Sequence, residues 1–205
     1  GKDILKPDGT GFHHNTHYNN YMYSYQTWIE NIPLLRGTSF QISNDSYLLI
    51  KKAIVSVYKM ATLGTGDTNR LYGLALSGRN PFESGQSLFF TRTLFDKLIE
   101  IGTGVTGTLD EELAGAYNYF FQTNTYNVPD NKQEGFYQFN YSPLAIYRKN
   151  NWVVTMRAPT TKFWGAEIYD KQNRFGRYQS HGTLEVMYPG NLIKSGYPTN
   201  GHGGG

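Results

Sequence analysis

The 205-residue sequence contains no cysteine, which excludes a disulfide framework and any zinc site with thiolate ligands. Charged residues make up only 17% of the chain, and no basic run or recognition-helix pattern indicates a nucleic-acid-binding protein. No apolar stretch is as long as a membrane span, and no signal peptide precedes Gly1. We therefore expect neither nucleic acid nor a membrane as a partner.

Aromatic residues, by contrast, are abundant: 17 Tyr, 12 Phe and 3 Trp make up 16% of the chain. Tyrosine combines a flat apolar face with a hydroxyl group, which suits a wet cleft that binds a polar ligand such as a sugar. Core packing nevertheless accounts for most of the tyrosines. The net charge of +3 favours a polyanionic partner without requiring nucleic acid.

Histidines concentrate in one short segment, directly after a turn signal at residues 6–9. His13, His14 and His17 are three of the five histidines in the chain, and Tyr18 and Tyr21 follow them. The segment is too polar for a core, and its side chains are of types that transfer protons. A metal site is the alternative, but the His-His-x-x-His spacing lacks the glutamate and the helix of the zinc proteases. We therefore predict no metal site here.

The first 130 residues show helical patterns. A first helix is predicted from Tyr21 to about Ile32, because Pro33 should end it. A second helix is predicted after Ser43 as its N-cap, with Asp45 in the first turn. Its predicted buried face consists of Tyr47, Ile50, Ile54, Val57 and Tyr58.

Two more helices are predicted before residue 130. The third runs from about Ser87 to Ile101 and is stopped by the glycines that follow, Gly102 and Gly104. The fourth begins at Thr108, which forms a capping box with Glu111, and continues to about residue 123.

After residue 130 the pattern changes to short alternating runs. These runs predict antiparallel strands at residues 134–140, 144–148, 152–157, 163–169 and 182–188. Asn150 and Asn151 favour a hairpin turn, since asparagine tolerates the positive φ of such turns. Helices followed by strands predict an α+β fold with two packed parts, residues 1–130 and 131–205, rather than interleaved βαβ units.

Four motifs, in order along the chain, carry a resemblance to a known family. They are LKPDGT at residues 5–10 followed by His14 and Tyr21, LSGRNPF at residues 76–82, GFY at residues 135–137 and EIYDKQNRFGRYQSHG at residues 167–182. The sequence resembles polysaccharide lyase family 8, and within it the broad-specificity chondroitin sulfate ABC lyases. The last motif is the longest and the most specific of the four.

The resemblance implies a fold and a location. Lyases of this family are much longer and consist of an incomplete α/α toroid followed by antiparallel β-sandwich domains, with the substrate cleft between them. By resemblance, the chain comprises the C-terminal helices of the toroid and the first strands of the central β-sandwich. The change of pattern near residue 130 agrees with this division. The resemblance also implies a bacterial protein that is periplasmic or secreted.

The resemblance further implies a β-elimination on chondroitin or dermatan sulfate. A base removes the proton on C5 of the uronate, the bond from C4 to the glycosidic oxygen breaks, and a 4,5-unsaturated uronate remains. Tyr21 is the predicted base and acid, and Arg79 is predicted to stabilise its phenolate and the bridging oxygen. His14 is predicted as a proton-transfer partner or a donor to the uronate, and Glu167 as the group that orients Arg79 or His14.

Two further residues are predicted to contact the substrate, His13 and Trp164, although core packing would equally explain Trp164. Sites of this family also use an asparagine and a further histidine from upstream segments, and no residue of this chain matches them. The activity of the isolated chain is therefore left open, and a non-catalytic glycosaminoglycan-binding fragment is the alternative. Glycoside hydrolysis by Asp110 and Glu111 is rejected, because these two acids are adjacent at a helix start rather than opposed across a bond.

The predicted partners are an anionic glycosaminoglycan, with hyaluronan as a further candidate substrate, and the upstream part of the toroid. No cofactor is predicted with certainty, and a divalent cation is left open.

Overall fold

The computed structural model describes residues 5–13, 16–17, 22–59, 72–73, 86–87, 91–150, 152–158, 160–162 and 183–187. Its α-helices are Met22–Asn31 (α1), Asn44–Tyr58 (α2), Arg92–Thr106 (α3) and Glu111–Phe121 (α4). Two antiparallel pairs of short strands are Phe12–His13 (β1) with Thr16–His17 (β2), and Tyr72–Gly73 (β3) with Gln86–Ser87 (β4). An antiparallel sheet in the order β5-β6-β7-β8 consists of Gly135–Phe139 (β5), Leu144–Lys149 (β6), Trp152–Arg157 (β7) and Thr183–Met187 (β8). The predicted α+β class is confirmed.

Helix α2 forms as its local sequence predicts. The hydroxyl of Ser43 accepts a hydrogen bond of 3.2 Å from the main-chain N–H of Ser46, so this N-cap is confirmed. Asp45 lies in the first turn, where a carboxylate faces the positive end of the helix dipole. All five residues of the predicted buried face are buried.

Helix α1 ends within one residue of the predicted position, which confirms the effect of Pro33. The α-helix ends at Asn31, and Ile32–Leu35 continue as a 3-10 turn with Pro33 near its start. Proline is accepted there because the first turn of a helix leaves its N–H groups without partners in any case. Tyr25, Ile29 and Ile32 are buried.

The predicted ends of α3 are wrong at both sides. The helix starts after Thr91, whose hydroxyl accepts from the N–H of Leu94, whereas Ser87 pairs with Tyr72 in a short strand. The glycines 102 and 104 lie inside the helix, which ends at Thr106 and is followed by Gly107 as C-cap with a φ of +79°. Gly102 is a packing residue: a Cβ there would lie 2.2 Å from the hydroxyl oxygen of Tyr47 on α2.

The predicted capping box of α4 is also wrong. Asp110, not Thr108, is the N-cap, and its carboxylate accepts from the N–H of Leu113 at 3.0 Å. The same carboxylate accepts from the Tyr47 hydroxyl at 2.9 Å and pairs with the Lys51 ammonium at 2.7 Å. The contacts with Tyr47 and Lys51 of α2 therefore stabilise Asp110 as the N-cap. The helix ends at Phe121 rather than at residue 123, because Gln122 has a φ of +53°.

The sheet follows the predicted strands closely. Asn150, in the turn between β6 and β7, has a φ of +53°, as the predicted hairpin requires. The predicted strand at residues 163–169 lies outside the described residues. Helix α3 packs against α1, α2 and α4, and one face of the sheet joins the helices in a shared hydrophobic core through Phe139, Leu144, Ile146 and Val153. Among the described helices, none is long and apolar enough to cross a membrane.

Candidate active site

The predicted site residues lie mostly beyond the part of the chain that the structure describes. His14, Tyr21, Arg79, Trp164 and Glu167 are all outside it, and of His13 only the backbone is described. Their catalytic and substrate-binding roles therefore stay predictions. What the structure does describe is the framework on both sides of His14 and Tyr21.

The histidine-rich segment contains an antiparallel pair of short strands that the sequence patterns did not indicate. Phe12 pairs with His17 and His13 pairs with Thr16, with residues 14 and 15 between the two strands. Residue 21 directly precedes Met22, the first residue of α1. In sequence, His14 therefore falls between two paired strands and Tyr21 directly before a helix.

A tight turn precedes this pair of strands. The N–H of Gly9 donates to the oxygen of Lys6 at 2.9 Å, and the N–H of Lys6 donates to the oxygen of Thr10 at 2.9 Å. Gly9 has a φ of +89°, a conformation that glycine adopts without steric cost. A bridge between Leu5 and Gly11 closes the turn just before β1.

Helix α2 holds the turn from one side. The ammonium group of Lys52 donates to the oxygen of Pro7 at 2.7 Å, and the hydroxyl of Ser56 donates to the oxygen of Gly9 at 2.9 Å. Gly9 lies so close to α2 that a Cβ there would meet Lys52 Cγ at 2.9 Å and the Lys52 oxygen at 3.0 Å. Thr10 is fully buried behind the turn.

The sheet holds the same turn from the other side. Asp8 Oδ2 accepts from the N–H of Tyr141, which lies in the connection between β5 and β6, at 2.9 Å. The turn that leads into the histidine segment is thus fixed where the helices meet the sheet. Sequence reasoning recognised the turn, including Asp8, but missed its contacts with Lys52, Ser56 and Tyr141, since nothing local links residues so far apart.

Two cations also lie at this junction. The guanidinium of Arg148 lies 5.0 Å from the centre of the Phe120 ring, and the ammonium of Lys59 lies 3.8 Å from the centre of the Tyr137 ring. Burial lowers the pKa of both groups. Arg148 is only 2% exposed and so is a structural residue, whereas Lys59 is partly exposed and contributes positive charge near the surface.

One open concavity among the described residues is unsuited to a polyanion. It has a volume of about 500 Å³ and lies between the start of α4 and the segment before β5. Its lining includes Glu111, Glu112, Asp130 and Glu134 with a single cation, Lys132, so an anionic glycan would be repelled there. Among the described residues, no group of three or more His, Asp or Glu side chains is placed to hold a metal ion.

Comparison with known proteins identifies the family. The family described as "Lyase, catalytic" matches residues 1–126. The chain belongs to this family. The match confirms the resemblance to polysaccharide lyase family 8, and it covers the positions of His14, Tyr21 and Arg79 but ends before Trp164 and Glu167.

The similarity to known proteins extends over nearly the whole chain. The chondroitin sulfate ABC endolyase of Proteus vulgaris is 32% identical over 98% of this chain, and the chondroitin sulfate ABC exolyase of the same species is 26% identical over 94%. In each case the chain spans only 20% of the relative's length. Among solved structures, a Streptomyces coelicolor A3 chondroitin AC lyase in complex with chondroitin sulphate matches with a TM-score of 0.57 at 13% identity, covering 92% of this chain and 30% of that one. That likeness shows the fold alone.

Proposed function

We propose that this lyase chain forms one wall of a glycosaminoglycan lyase site that cleaves chondroitin or dermatan sulfate by β-elimination. The observation that carries the proposal is the family match over residues 1–126, which spans the predicted positions of His14, Tyr21 and Arg79. The names of the relatives, chondroitin sulfate ABC lyases, support the substrate class. The proposed location is periplasmic or secreted, where such polymers are accessible.

The proposed reaction needs a base, an acid and stabilisation of charge. The Tyr21 phenolate takes the C5 proton, and the electron pair left on C5 is delocalised into the uronate carboxylate. The C4–O bond then breaks as the C4=C5 double bond forms, and the phenol returns a proton to the leaving oxygen. No water is consumed. Arg79 stabilises the phenolate and the bridging oxygen, His14 acts as a proton-transfer partner or as a donor to the uronate, and Glu167 orients Arg79 or His14.

The finer fold proposal is that the helices end an α/α toroid and the sheet is the first layer of a β-sandwich, with the division near residue 130. The outer face of the sheet supports the second part. It carries large apolar side chains that face solvent: Phe136, Tyr147, Trp152, Met156 and Leu184. Sheets with two apolar faces pack against a second layer about 10 Å away.

The test uses the full-length protein with chondroitin sulfate and with dermatan sulfate. Wild-type protein is expected to produce an increase in ultraviolet absorbance from unsaturated uronate, and Tyr21→Phe is expected to abolish it. Tyr147→Phe is the matched control, because this partly exposed tyrosine lies on the outer face of the sheet. Full activity of Tyr21→Phe would remove Tyr21 from the mechanism.

The second candidate function is glycosaminoglycan binding without catalysis. It is favoured by one observation: the net charge of +3 attracts a polyanion without requiring catalysis. Retention on a chondroitin sulfate column with no increase in absorbance would support binding alone. Cleavage by the wild type would exclude it.

A further inference from the structure

We infer that Asp8 is a positioning residue that holds the histidine-bearing strands β1 and β2 in place against the sheet, and that lyase activity depends on it. The inference rests on the proposed function for its catalytic part. Its structural part rests on the contacts of Asp8 alone.

The two carboxylate oxygens of Asp8 have different partners. Oδ1 accepts from the N–H of Thr10 at 3.0 Å and from the Thr10 hydroxyl at 2.7 Å, which fixes the shape of the turn. Oδ2 accepts from the N–H of Tyr141 at 2.9 Å, which joins the turn to the sheet across 133 positions of sequence. One side chain therefore sets both the conformation of the turn and its position.

A carboxylate is required because all three partners donate. An ionised aspartate offers only acceptors, whereas an asparagine amide offers one acceptor oxygen and an NH₂ group that donates. The amide oxygen of an asparagine at position 8 could accept from the main-chain N–H of either Thr10 or Tyr141. The remaining main-chain N–H would then face the NH₂ group of the asparagine, which cannot accept a hydrogen bond. Asp8→Asn consequently breaks one of the two connections while changing the size of the side chain very little.

A displacement of the turn should also displace the histidines, because the two are close in the sequence. Only three residues separate Asp8 from Phe12, the first residue of β1, and the bridge from Leu5 to Gly11 holds them. A shift of about 1 Å in a catalytic group can reduce the rate by about a hundredfold. A turn released from Tyr141 would allow a shift of this size at His13 and His14.

The experiment compares Asp8→Asn with Asp110→Asn in the full-length protein. Asp110 is a matched control because its carboxylate likewise accepts from a main-chain N–H and from two other side chains, far along the sequence from the histidines. We expect kcat to fall about tenfold or more in Asp8→Asn, with a smaller change in KM. In Asp110→Asn we expect a lower Tm but an unchanged kcat at a temperature where the protein is folded.

Hydrogen exchange provides a measurement that needs no activity. The amides of residues 12–17 are expected to exchange faster in Asp8→Asn and at the wild-type rate in Asp110→Asn. If the wild type cleaves no glycosaminoglycan, the proposed function fails, yet the exchange comparison still decides whether Asp8 positions these strands. Should Asp8→Asn fail to fold, Ser56→Ala removes the bond to the turn at Gly9, together with a local bond to the Ala53 oxygen within α2, and should change both measurements in the same direction by a smaller amount.

Two results would overturn the inference. One is a wild-type kcat in folded Asp8→Asn protein. The other is a loss of kcat in Asp110→Asn equal to that in Asp8→Asn at the same decrease in Tm, which would show that general destabilisation is sufficient.

Discussion

The Arg148 guanidinium on β6 donates a hydrogen bond of 2.8 Å from Nη1 to the main-chain oxygen of Lys59, the residue that follows helix α2. A cation thus lies at the negative end of the α2 dipole, where it satisfies a carbonyl that the helix leaves without a partner. The guanidinium also packs on the ring of Phe120 of α4. This residue joins the sheet to two helices at once.

Replacing Arg148 should therefore destabilise the protein. We expect Arg148→Met to lower the free energy of unfolding by about 2 kcal/mol, because the Lys59 oxygen loses its partner in a buried setting. Lys149→Met is the control. Because Lys149 is exposed, this substitution should change the free energy of unfolding by no more than about 0.5 kcal/mol. Urea unfolding monitored by circular dichroism measures both, and equal midpoints for the two variants would contradict the prediction.

Two glycines of α3 should respond in opposite ways to alanine. A Cβ at Gly102 would lie 2.2 Å from the hydroxyl of the buried, hydrogen-bonded Tyr47, which cannot move away. The three atoms nearest to a Cβ at Gly104 all belong to the guanidinium group of Arg36, which can rotate away. Alanine otherwise favours a helix over glycine by about 1 kcal/mol.

We therefore expect Gly102→Ala to lower the Tm and Gly104→Ala to leave it unchanged or raise it. Thermal unfolding of the two variants is a direct comparison, because both changes have the same chemistry in the same helix. A similar Tm for both would show that α2 and α3 are less closely packed than the structure indicates.

Sequence reasoning succeeded where the signals were local. Ser43 caps α2 through a residue three positions away, and the turn at Asn150 depends on the φ preference of asparagine. It failed where a distant residue decides the outcome. Asp110 is preferred to Thr108 as a cap because Tyr47 and Lys51 bind it, and Gly102 permits close packing rather than ending a helix.

The framework of the candidate site is likewise decided by residues that are far apart in the sequence. The turn at residues 6–9 could be read from its proline, aspartate and glycine. Its contact with Tyr141 could not, because 133 positions separate the two residues and only the folded chain brings them together. The short strands β1 and β2 also escaped prediction, since two residues are too few to show an alternating pattern.

The Asp110–Lys51 pair should make stability depend on pH. Burial opposes ionisation of Asp110, but hydrogen bonds from Lys51, Leu113 and Tyr47 outweigh it and hold the pKa of this carboxyl below its usual value. A lowered pKa contributes stability above the unfolded-state pKa of about 3.9, and this stability is lost as the pH falls through the folded-state pKa. We expect Asp110→Asn to lower the free energy of unfolding by about 2 kcal/mol at neutral pH and by less at about pH 3.

Lys51 gives the corresponding prediction at alkaline pH. Burial disfavours its charge, but hydrogen bonds to Asp110 and Glu112 raise its pKa overall, so its contribution is complete below about pH 10 and is lost only above it. Glu112 is the weaker of the two partners, so Glu112→Gln should lower the free energy of unfolding by only about 0.5 kcal/mol, since Glu112 is 54% exposed and solvent screens its charge. Urea unfolding at acidic, neutral and alkaline pH measures these changes. A difference between wild type and Asp110→Asn that stays constant down to pH 3 would contradict the assignment.

The outer face of the sheet allows the proposed sandwich to be tested by stability alone. Phe136 is 64% exposed on this face, so Phe136→Ser should be nearly neutral if the face meets water. If a second sheet covers it in the full-length protein, the substitution removes a buried aromatic ring and should cost about 3 kcal/mol. Gln138→Ser, two positions along the same strand and on the same face, controls for the loss of strand propensity. The proposed sandwich predicts a lower Tm for Phe136→Ser but not for Gln138→Ser. An equal Tm for the two variants would show that no second layer covers this face.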